Sequence, residues 1–295
     1  MSDQDVPAQP SPGPDAIWVY AVARGGTLAE REAGVSRPDD GSGTNEPLAG
    51  IAGRPVRLVT ATDLTAVVSP VDLAEFGEEP LRRNMEHLPW LEAVARMHHD
   101  VVSAVAKMTA VVPMRLATVY RTDLGLARML GQRRSDFLAV LGNIAGRSEW
   151  GVKAYVEAGG DLATPPADRG SGVAVTPGSG AAYLSKRRAE LTAAEGARKA
   201  AVASAKRVHA ELAGQAVAAA LHRPQDPRLS GTGSRMIMNA TYLVDDRDRV
   251  SFAARVRRAA SMNPSLRLEL TGPWPPYSFV APEPGAQTIG AGASR

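Results

Sequence analysis

The chain has 295 residues and a net charge of +3, and 44% of its residues are hydrophobic. This length allows two modest domains, and so small a charge surplus is not the electrostatic footprint of a nucleic-acid-binding protein. Because the sequence contains no cysteine, disulfides, thiolate catalysis and cysteine-ligated zinc are excluded.

The first part of the chain is predicted to contain a tail, a buried strand and a hairpin. Residues 1–15 contain proline and serine, lack the basic and apolar regions of a signal peptide and predict a disordered tail. Residues 16–23 are β-branched and aromatic, and too few for a helix, which predicts a buried strand. After a long loop over 24–53, two β-rich runs, 56–60 and 64–69, predict a hairpin.

A helix is predicted next, because apolar residues recur at spacings of three and four from Trp90 to Met108. Pro89 suits the first turn of this helix or a break before it. His98 and His99 lie within it, but adjacent helical residues diverge by about 100° and cannot share a metal ion. We therefore expect a packing or solvated role for both histidines.

Residues 110–120 predict one strand, in which Pro113 marks an edge or a bend. Two short helices are predicted after it, over 123–131 and 135–144. Each has a residue that favours the N-cap position. These N-cap candidates are Thr122 and Ser135.

The second half of the chain is dominated by a long predicted helix. A strand is expected over 149–157, with Trp150 and alternate residues after it on one side and Lys153 on the other. Residues 181–221 contain no proline and are rich in Ala, Arg, Lys and Glu, which predicts one long helix. Its surplus of basic residues favours a solvated face, with nucleic-acid binding as a minor alternative.

The last elements alternate between strand and helix. Residues 236–245 predict a strand and 249–262 a short amphipathic helix. A final strand, 266–270, runs into the sequence TGPWPPYSF. Its prolines predict a stiff arm carrying Trp274, Tyr277 and Phe279, which either contacts a partner or packs into the core. The mixture of helices and strands indicates an α+β fold.

The sequence shows no nucleophile motif, phosphate loop or metal-ligand cluster of the known kinds. Several stretches together resemble the gas vesicle protein F/L family (GvpF/GvpL). They are AVVPMRLATVY, SEWGVKAYVE, AAYLSKRR, NATYLVD and LTGPWPPYSFV, which occur in the family's order and span 16–280. Family members commonly have Arg-Phe-Gly-Thr where this chain has RLAT at 115–118, which leaves any special role of that turn in doubt.

The resemblance implies an accessory or minor structural protein of gas vesicles, the gas-filled protein compartments that give buoyancy. Such a protein acts in vesicle assembly, binds the hydrophobic shell protein and other vesicle proteins, and is located at the gas vesicle, a cytoplasmic compartment. The resemblance implies neither an enzymatic activity nor a cofactor. A ligand-binding regulatory α+β module is the alternative. We expect no nucleic acid, membrane or small-molecule substrate as a partner.

The resemblance also implies two α+β domains with mixed or antiparallel sheets of ferredoxin-like character. We expect the N-terminal domain at 16–147 and the ferredoxin-like C-terminal domain at 148–281. The long helix 181–221 belongs to the second domain, and a disordered tail is expected at 282–295.

Catalytic, cofactor and metal residues are not expected, so the candidate residues are those of the family stretches. Arg115 and Glu149 are further predicted to lie close together and to be partly buried. The candidate interaction residues are Pro113, Arg115, Glu149, Trp150, Lys153, Tyr183, Leu184, Tyr242, Gly272, Pro273, Trp274, Pro275, Pro276 and Tyr277.

Overall fold

A computed structural model describes residues 15–28, 48–157, 179–224 and 234–280. The chain clusters into two compact units, one of residues 1–146 with 275–295 and one of residues 147–274. The expected tails lie outside the described residues, apart from Asp15, with which the first strand begins. No helix in the described part of the chain is long and apolar enough to cross a membrane.

The first unit is built on an antiparallel sheet in the order β2-β3-β1-β4, and β5 also pairs with β1. The predicted strand over 16–23 and the predicted hairpin, now β2 and β3, are both confirmed. The strands are β1 Asp15–Arg24, β2 Arg57–Ala61, β3 Leu64–Asp72, β4 Val111–Pro113 and β5 Val119–Tyr120.

Helices cover both faces of this first sheet. Trp18 and Tyr20 pack with the first three helices on one face, whereas Ile17 and Val19 pack with the last two on the other. All residues of β1 from Ala16 to Ala23 are therefore buried, which explains why this strand is a continuous apolar run. The helices are α1 Leu73–Phe76, α2 Glu78–Asn84, α3 Leu88–Ala106, α4 Asp123–Gln132 and α5 Arg134–Ile144.

His98 joins α3 to the sheet. The indole N–H of Trp18 donates to His98 Nδ1 at 2.9 Å, so Nε2 carries the proton and donates to the carbonyl of Met114 at 3.1 Å. Burial lowers the pKa of His98 to about 4, although the Met114 carbonyl opposes this shift. The histidine is a neutral packing residue, which agrees with the packing role allowed by its sequence context.

Two details of the first unit differ from the sequence predictions. Residues 110–120 form two short strands because a turn intervenes, in which Thr118 donates to the Arg115 carbonyl and Ala117 has a φ of 66°. Ser135 lies inside α5 and is not its N-cap, which is Arg133. Thr122 does cap α4, accepting from the Gly125 N–H at 3.1 Å.

The second unit has the antiparallel strand order β7-β8-β6-β9. With the chain order strand, helix, strand, strand, helix, strand, this is the ferredoxin-like arrangement, so the predicted α+β fold is confirmed. Its elements are β6 Arg147–Glu157, α6 Ser179–Ala213, β7 Ala218–His222, β8 Ser234–Asp245, α7 Arg249–Met262 and β9 Arg267–Trp274.

Both described helices of this unit pack on one face of its sheet. Val152 and Tyr242 lie in the same core as Val208 of α6 and Phe252 of α7. The burial of strand β6 accordingly alternates from Trp150 to Ala154, after which a register shift against β8 interrupts the pattern. Only part of α6 contributes, because its buried residues begin at Ala201.

The predicted helix over 181–221 is too long, because α6 ends at Ala213. Gly214 and Gln215 form a turn, the Val217 N–H donates to the Leu243 carbonyl at 2.8 Å, and β7 then pairs with β8. The run Ala-Ala-Ala-Leu has a high helix propensity, but pairing along the edge of β8 overrides it.

The chain end also differs from the expected domain boundary. Residues 275–280 cluster with the first unit, whereas the sequence analysis places them in the second domain, 148–281. Tyr277 packs against the core that contains Trp18, and Val280 against the core on the opposite face of that sheet. Three short 3₁₀ helices complete the described elements, at Ile51–Gly53, Asp246–Asp248 and Tyr277–Phe279.

Candidate interaction site

Two of the family stretches meet at one edge of the second sheet. Strand β9 pairs with β6, so Trp274 lies opposite Glu149, with a bulge between Glu149 and Gly151. Gly272 has a φ of 118°, and a Cβ there would lie 2.8 Å from the Glu149 carbonyl oxygen. Only glycine fits such a backbone position without strain. The Gly272–Pro273 peptide bond is cis.

Trp150 and Tyr242 are core residues of the second unit. They are register partners on β6 and β8, and both rings lie against Phe252, with centroid distances of 6.2 and 5.4 Å. The Tyr242 hydroxyl is hydrogen-bonded to His209 Nδ1 at 2.8 Å, and burial raises the pKa of Tyr242. These two candidates therefore build the fold and offer no exposed surface to a partner.

Lys153 lies on the opposite face of the same sheet, in a group of charged residues. Its register partner is Glu269, and the guanidinium of Arg267 stacks over the ring of Tyr155 at 4.3 Å. Arg267 also donates to Glu269, which lowers the pKa of that carboxyl. The group therefore contains two cations, Lys153 and Arg267, and one carboxylate, Glu269, which is hydrogen-bonded to Arg267.

The aromatic residues of the TGPWPPYSF stretch do not stay together. Trp274 is 43% exposed at the end of β9, whereas Pro275 and Pro276 are buried. Tyr277 packs against the core of the first unit, and its ring centroid lies 6.1 Å from that of His99. The stretch therefore holds an exposed tryptophan and a packed tyrosine, and contact of Trp274 with a partner stays a prediction.

The N-terminal half of α6 exposes several large apolar side chains. From Tyr183 to Ala200 no residue is buried. Leu184 is 67% exposed, Tyr183 61% and Leu191 53%. Leu184 and Leu191 are seven residues apart and therefore share one face of the helix. Leu191 is not one of the candidate residues named above, but the sequence shows it at a seven-residue spacing from Leu184, on the Ala/Leu face of the long helix that is a candidate contact surface.

The remaining two candidates lie in the first unit. Pro113 is buried at the end of the edge strand β4, opposite Ala21, which confirms its predicted edge position. Arg115 is exposed in the turn that follows, whereas Glu149 in the second unit is only 7% exposed. The proximity of Arg115 and Glu149 stays a prediction.

The structure therefore groups some candidates and separates others. Glu149, Gly272 and Trp274 meet at the β6–β9 edge, and the exposed side chains of α6 form a second candidate surface. Within the described ranges, no three acidic or histidine side chains are close enough to hold a metal ion.

Comparison with known proteins identifies the family of the chain. The family model described as Gas vesicle synthesis protein GvpL/GvpF matches residues 16–281. The chain belongs to this family. Membership associates it with gas vesicles, as the resemblance of its sequence stretches implies.

The relatives carry the same association. Gas vesicle protein L of Streptomyces sp. (strain CB03234) is 41% identical over 260 residues, which cover 88% of this chain and 96% of that protein. Gas vesicle protein F of the same strain is 26% identical over 274 residues, covering 90% of this chain and 99% of that protein.

Solved structures show the same fold. The crystal structure of GvpF from Anabaena sp. PCC7120 superposes with a TM-score of 0.57 at 17% identity, covering 91% of this chain and 97% of that one. GvpF from Microcystis aeruginosa gives a TM-score of 0.56 at 16% identity, covering 90% of this chain and 99% of that one.

Proposed function

We propose that this member of the GvpL/GvpF family is an accessory or minor structural protein that acts in gas vesicle assembly. In this role it binds the hydrophobic shell protein and other vesicle proteins at the gas vesicle. The observation that carries the proposal is the exposed N-terminal half of α6, where Leu184 and Leu191 share a face without burial.

The physical reason is the cost of leaving these side chains in water. Exposed apolar side chains grouped on one surface commonly mark a protein interface. A leucine side chain buried against a partner contributes roughly 1.5–3 kcal/mol, and two on one helical face can act together. A hydrophobic shell subunit offers the apolar surface that such a face needs.

The experiment is co-purification of the tagged chain with the shell protein. Leu184→Gln with Leu191→Gln should reduce the bound shell protein at least about tenfold, since losing two buried leucines removes more than about 1.4 kcal/mol. The matched control is Leu88→Gln with Leu124→Gln, which changes two comparably exposed leucines of the first unit. Full retention of the shell protein by the α6 variant would contradict this surface.

Trp274 is a second contact candidate at the β6–β9 edge. Because it is 43% exposed, Trp274→Ala should leave the stability of the second unit within about 1 kcal/mol of the wild type. Reduced co-purification with the shell protein at unchanged stability would add this edge to the interface. Intact vesicles after deletion of the gene would contradict the assembly role itself.

A further inference from the structure

Positive charge is concentrated on the helical layer of the second unit. Helix α7 contains four arginines and no acidic residue, and the packed part of α6, residues 201–213, contains two basic residues and Glu211. All six basic side chains are exposed. We call these six residues the basic layer: Lys206, Arg207, Arg249, Arg255, Arg257 and Arg258.

Some arginines of the chain pair with carboxylates, as in Arg57–Asp123 and Arg134–Asp63, whereas, among the described residues, those of α7 do not. None of the α7 arginines forms an ion pair with a carboxylate of the described residues. Of the three acids just before α7, Asp245 pairs with Arg147 and Arg247, and Asp248 pairs with Arg247. The third, Asp246, is exposed and forms no ion pair with an α7 arginine.

Apolar side chains accompany this charge. Val250 is 74% exposed and Met262 68%, one near each end of α7. Their spacing of twelve residues puts them about 120° apart around the helix and about 18 Å apart along it, and Arg258 lies between them in both respects. A complementary surface would therefore offer carboxylates together with apolar side chains.

We propose that the basic layer docks an acidic, amphipathic helical segment of another polypeptide. Such a segment neutralises the uncompensated arginines and covers Val250 and Met262 at the same time. The proposal concerns different residues from the α6 face of the proposed function and stands separately from it.

Two other anionic partners fit the observations less well. The exposed residues of α7 and of 201–213 include no aromatic side chain on which a nucleic-acid base could stack. A membrane surface takes up the whole apolar face of an amphipathic helix. In α7 that face, formed by Phe252, Val256 and Ala259, is already buried in the core.

The test uses the full chain and a fluorescein-labelled synthetic helix of glutamate and leucine, with binding followed by fluorescence anisotropy. We expect saturable binding that weakens as salt is raised. Arg257→Glu with Arg258→Glu should weaken binding more than about tenfold, because two attractive contacts become repulsive. Arg83→Glu with Arg128→Glu is the matched control on exposed helical arginines of the first unit and should change binding less than about twofold.

A second pair of variants tests the apolar part. Val250→Gln with Met262→Gln should weaken binding of the glutamate–leucine helix but not of poly-L-glutamate. Equal affinity of the arginine variant and the wild type would overturn the proposal, and so would equal affinity of the apolar variant. Tighter binding of a single-stranded oligonucleotide or of phosphatidylserine vesicles, in the same buffer, would also overturn it. Circular dichroism of each variant confirms that it is folded.

Discussion

The two units share one strand order but differ in how their sheets are covered. Strands β1 and β6 occupy the same central place, each paired on both sides by antiparallel neighbours. Helices pack on both faces of β1, whereas the described helices of the second unit lie on one face of β6. The apolar pattern of a strand therefore reports how many of its faces are covered, and the topology must be inferred from the order of the elements.

This difference has consequences for function. The five described helices of the first unit cover its sheet, and a buried polar group, His98, joins α3 to strand β1. In the described part of the second unit, the sheet is covered by the packed part of α6 and by helix α7, so half of a long helix and the arginines of α7 stay exposed. The candidate interaction surfaces accordingly lie mainly in the second unit.

Alanine substitutions along β1 and β6 should give the largest effects. Trp18→Ala should cost about 3–5 kcal/mol and Val19→Ala about 2–3 kcal/mol, since neighbours on opposite faces are both buried. In β6, Val152→Ala should cost about 2–3 kcal/mol but Lys153→Ala less than about 1 kcal/mol. Native-state hydrogen exchange of the slow amides of each unit measures these values separately.

Each strand supplies two variants that serve as controls for each other, Trp18→Ala with Val19→Ala in β1 and Val152→Ala with Lys153→Ala in β6. Equal costs for Val152→Ala and Lys153→Ala would show that the two faces of β6 are equally packed. A negligible cost for Val19→Ala would show that the face of β1 opposite Trp18 contributes little. Either result would break the contrast between the two sheets.

Acid should weaken the first unit through His98. Its pKa is lowered to about 4 by burial, against an ordinary value of 6.5, so the unfolded chain binds a proton that the folded unit does not. The contribution of neutral His98 to stability is therefore fully present above the pKa that it has in the unfolded chain. It is lost as the pH falls through the pKa that it has in the folded unit. The total loss is about 3 kcal/mol. Hydrogen exchange of β1 and α3 amides across this range measures it.

The control is His98→Gln, which removes the titrating group from the site. At neutral pH the variant should have a lower free energy of exchange than the wild type, because its hydrogen bonds to Trp18 and Met114 are altered. As the pH falls, this free energy should decrease less steeply than in the wild type, because the contribution of His98 is missing. An unchanged slope would assign the acid sensitivity to other groups.

The elements that the sequence predicts well are those whose pattern is local. The run over 16–23, the hairpin and α3 follow from composition and periodicity, and Thr122 from cap chemistry. The end of α6 cannot be predicted from local sequence, because β7 is defined by its pairing with β8. The destination of Tyr277 is likewise set by a core formed from residues far away in the chain.

The candidate site was predictable to a similar extent. The family stretches include positions with strict backbone requirements, such as Gly272, but do not distinguish core residues from surface residues. Trp150 and Tyr242 are buried, whereas Trp274 is exposed, and nothing in their local sequence separates them. Exposure depends on which elements pack over a side chain, and that is a property of the tertiary structure.

Gly196→Ala should give a smaller effect that is confined to the exposed half of α6. A methyl group there meets no atom within 4 Å, so the change adds helix propensity without a clash. The local gain should be about 1 kcal/mol, seen as slower amide exchange between 183 and 200. Exchange in the packed part, 201–213, should not change. An equal gain in both parts would show that α6 opens as one unit and that its exposed half is not independent.

The smallest effects should come from two alanines of the first unit with left-handed backbone, Ala52 at φ 54° and Ala117 at φ 66°. Glycine relieves about 1–2 kcal/mol of strain at such positions but adds about 0.5–1 kcal/mol of backbone entropy to the unfolded chain. Ala52 is exposed, so Ala52→Gly should stabilise by up to about 1 kcal/mol.

Ala117 is buried, and its methyl group contributes about 0.8 kcal/mol that glycine would lose. Ala117→Gly should therefore change the free energy of unfolding by only a few tenths of a kcal/mol, which explains why this chain tolerates alanine where family members commonly have glycine. Thermal unfolding of the two variants, measured side by side, checks that Ala52→Gly stabilises more than Ala117→Gly. A larger gain from Ala117→Gly than from Ala52→Gly would mean that the turn at 115–118 stores strain that burial of the methyl group does not offset.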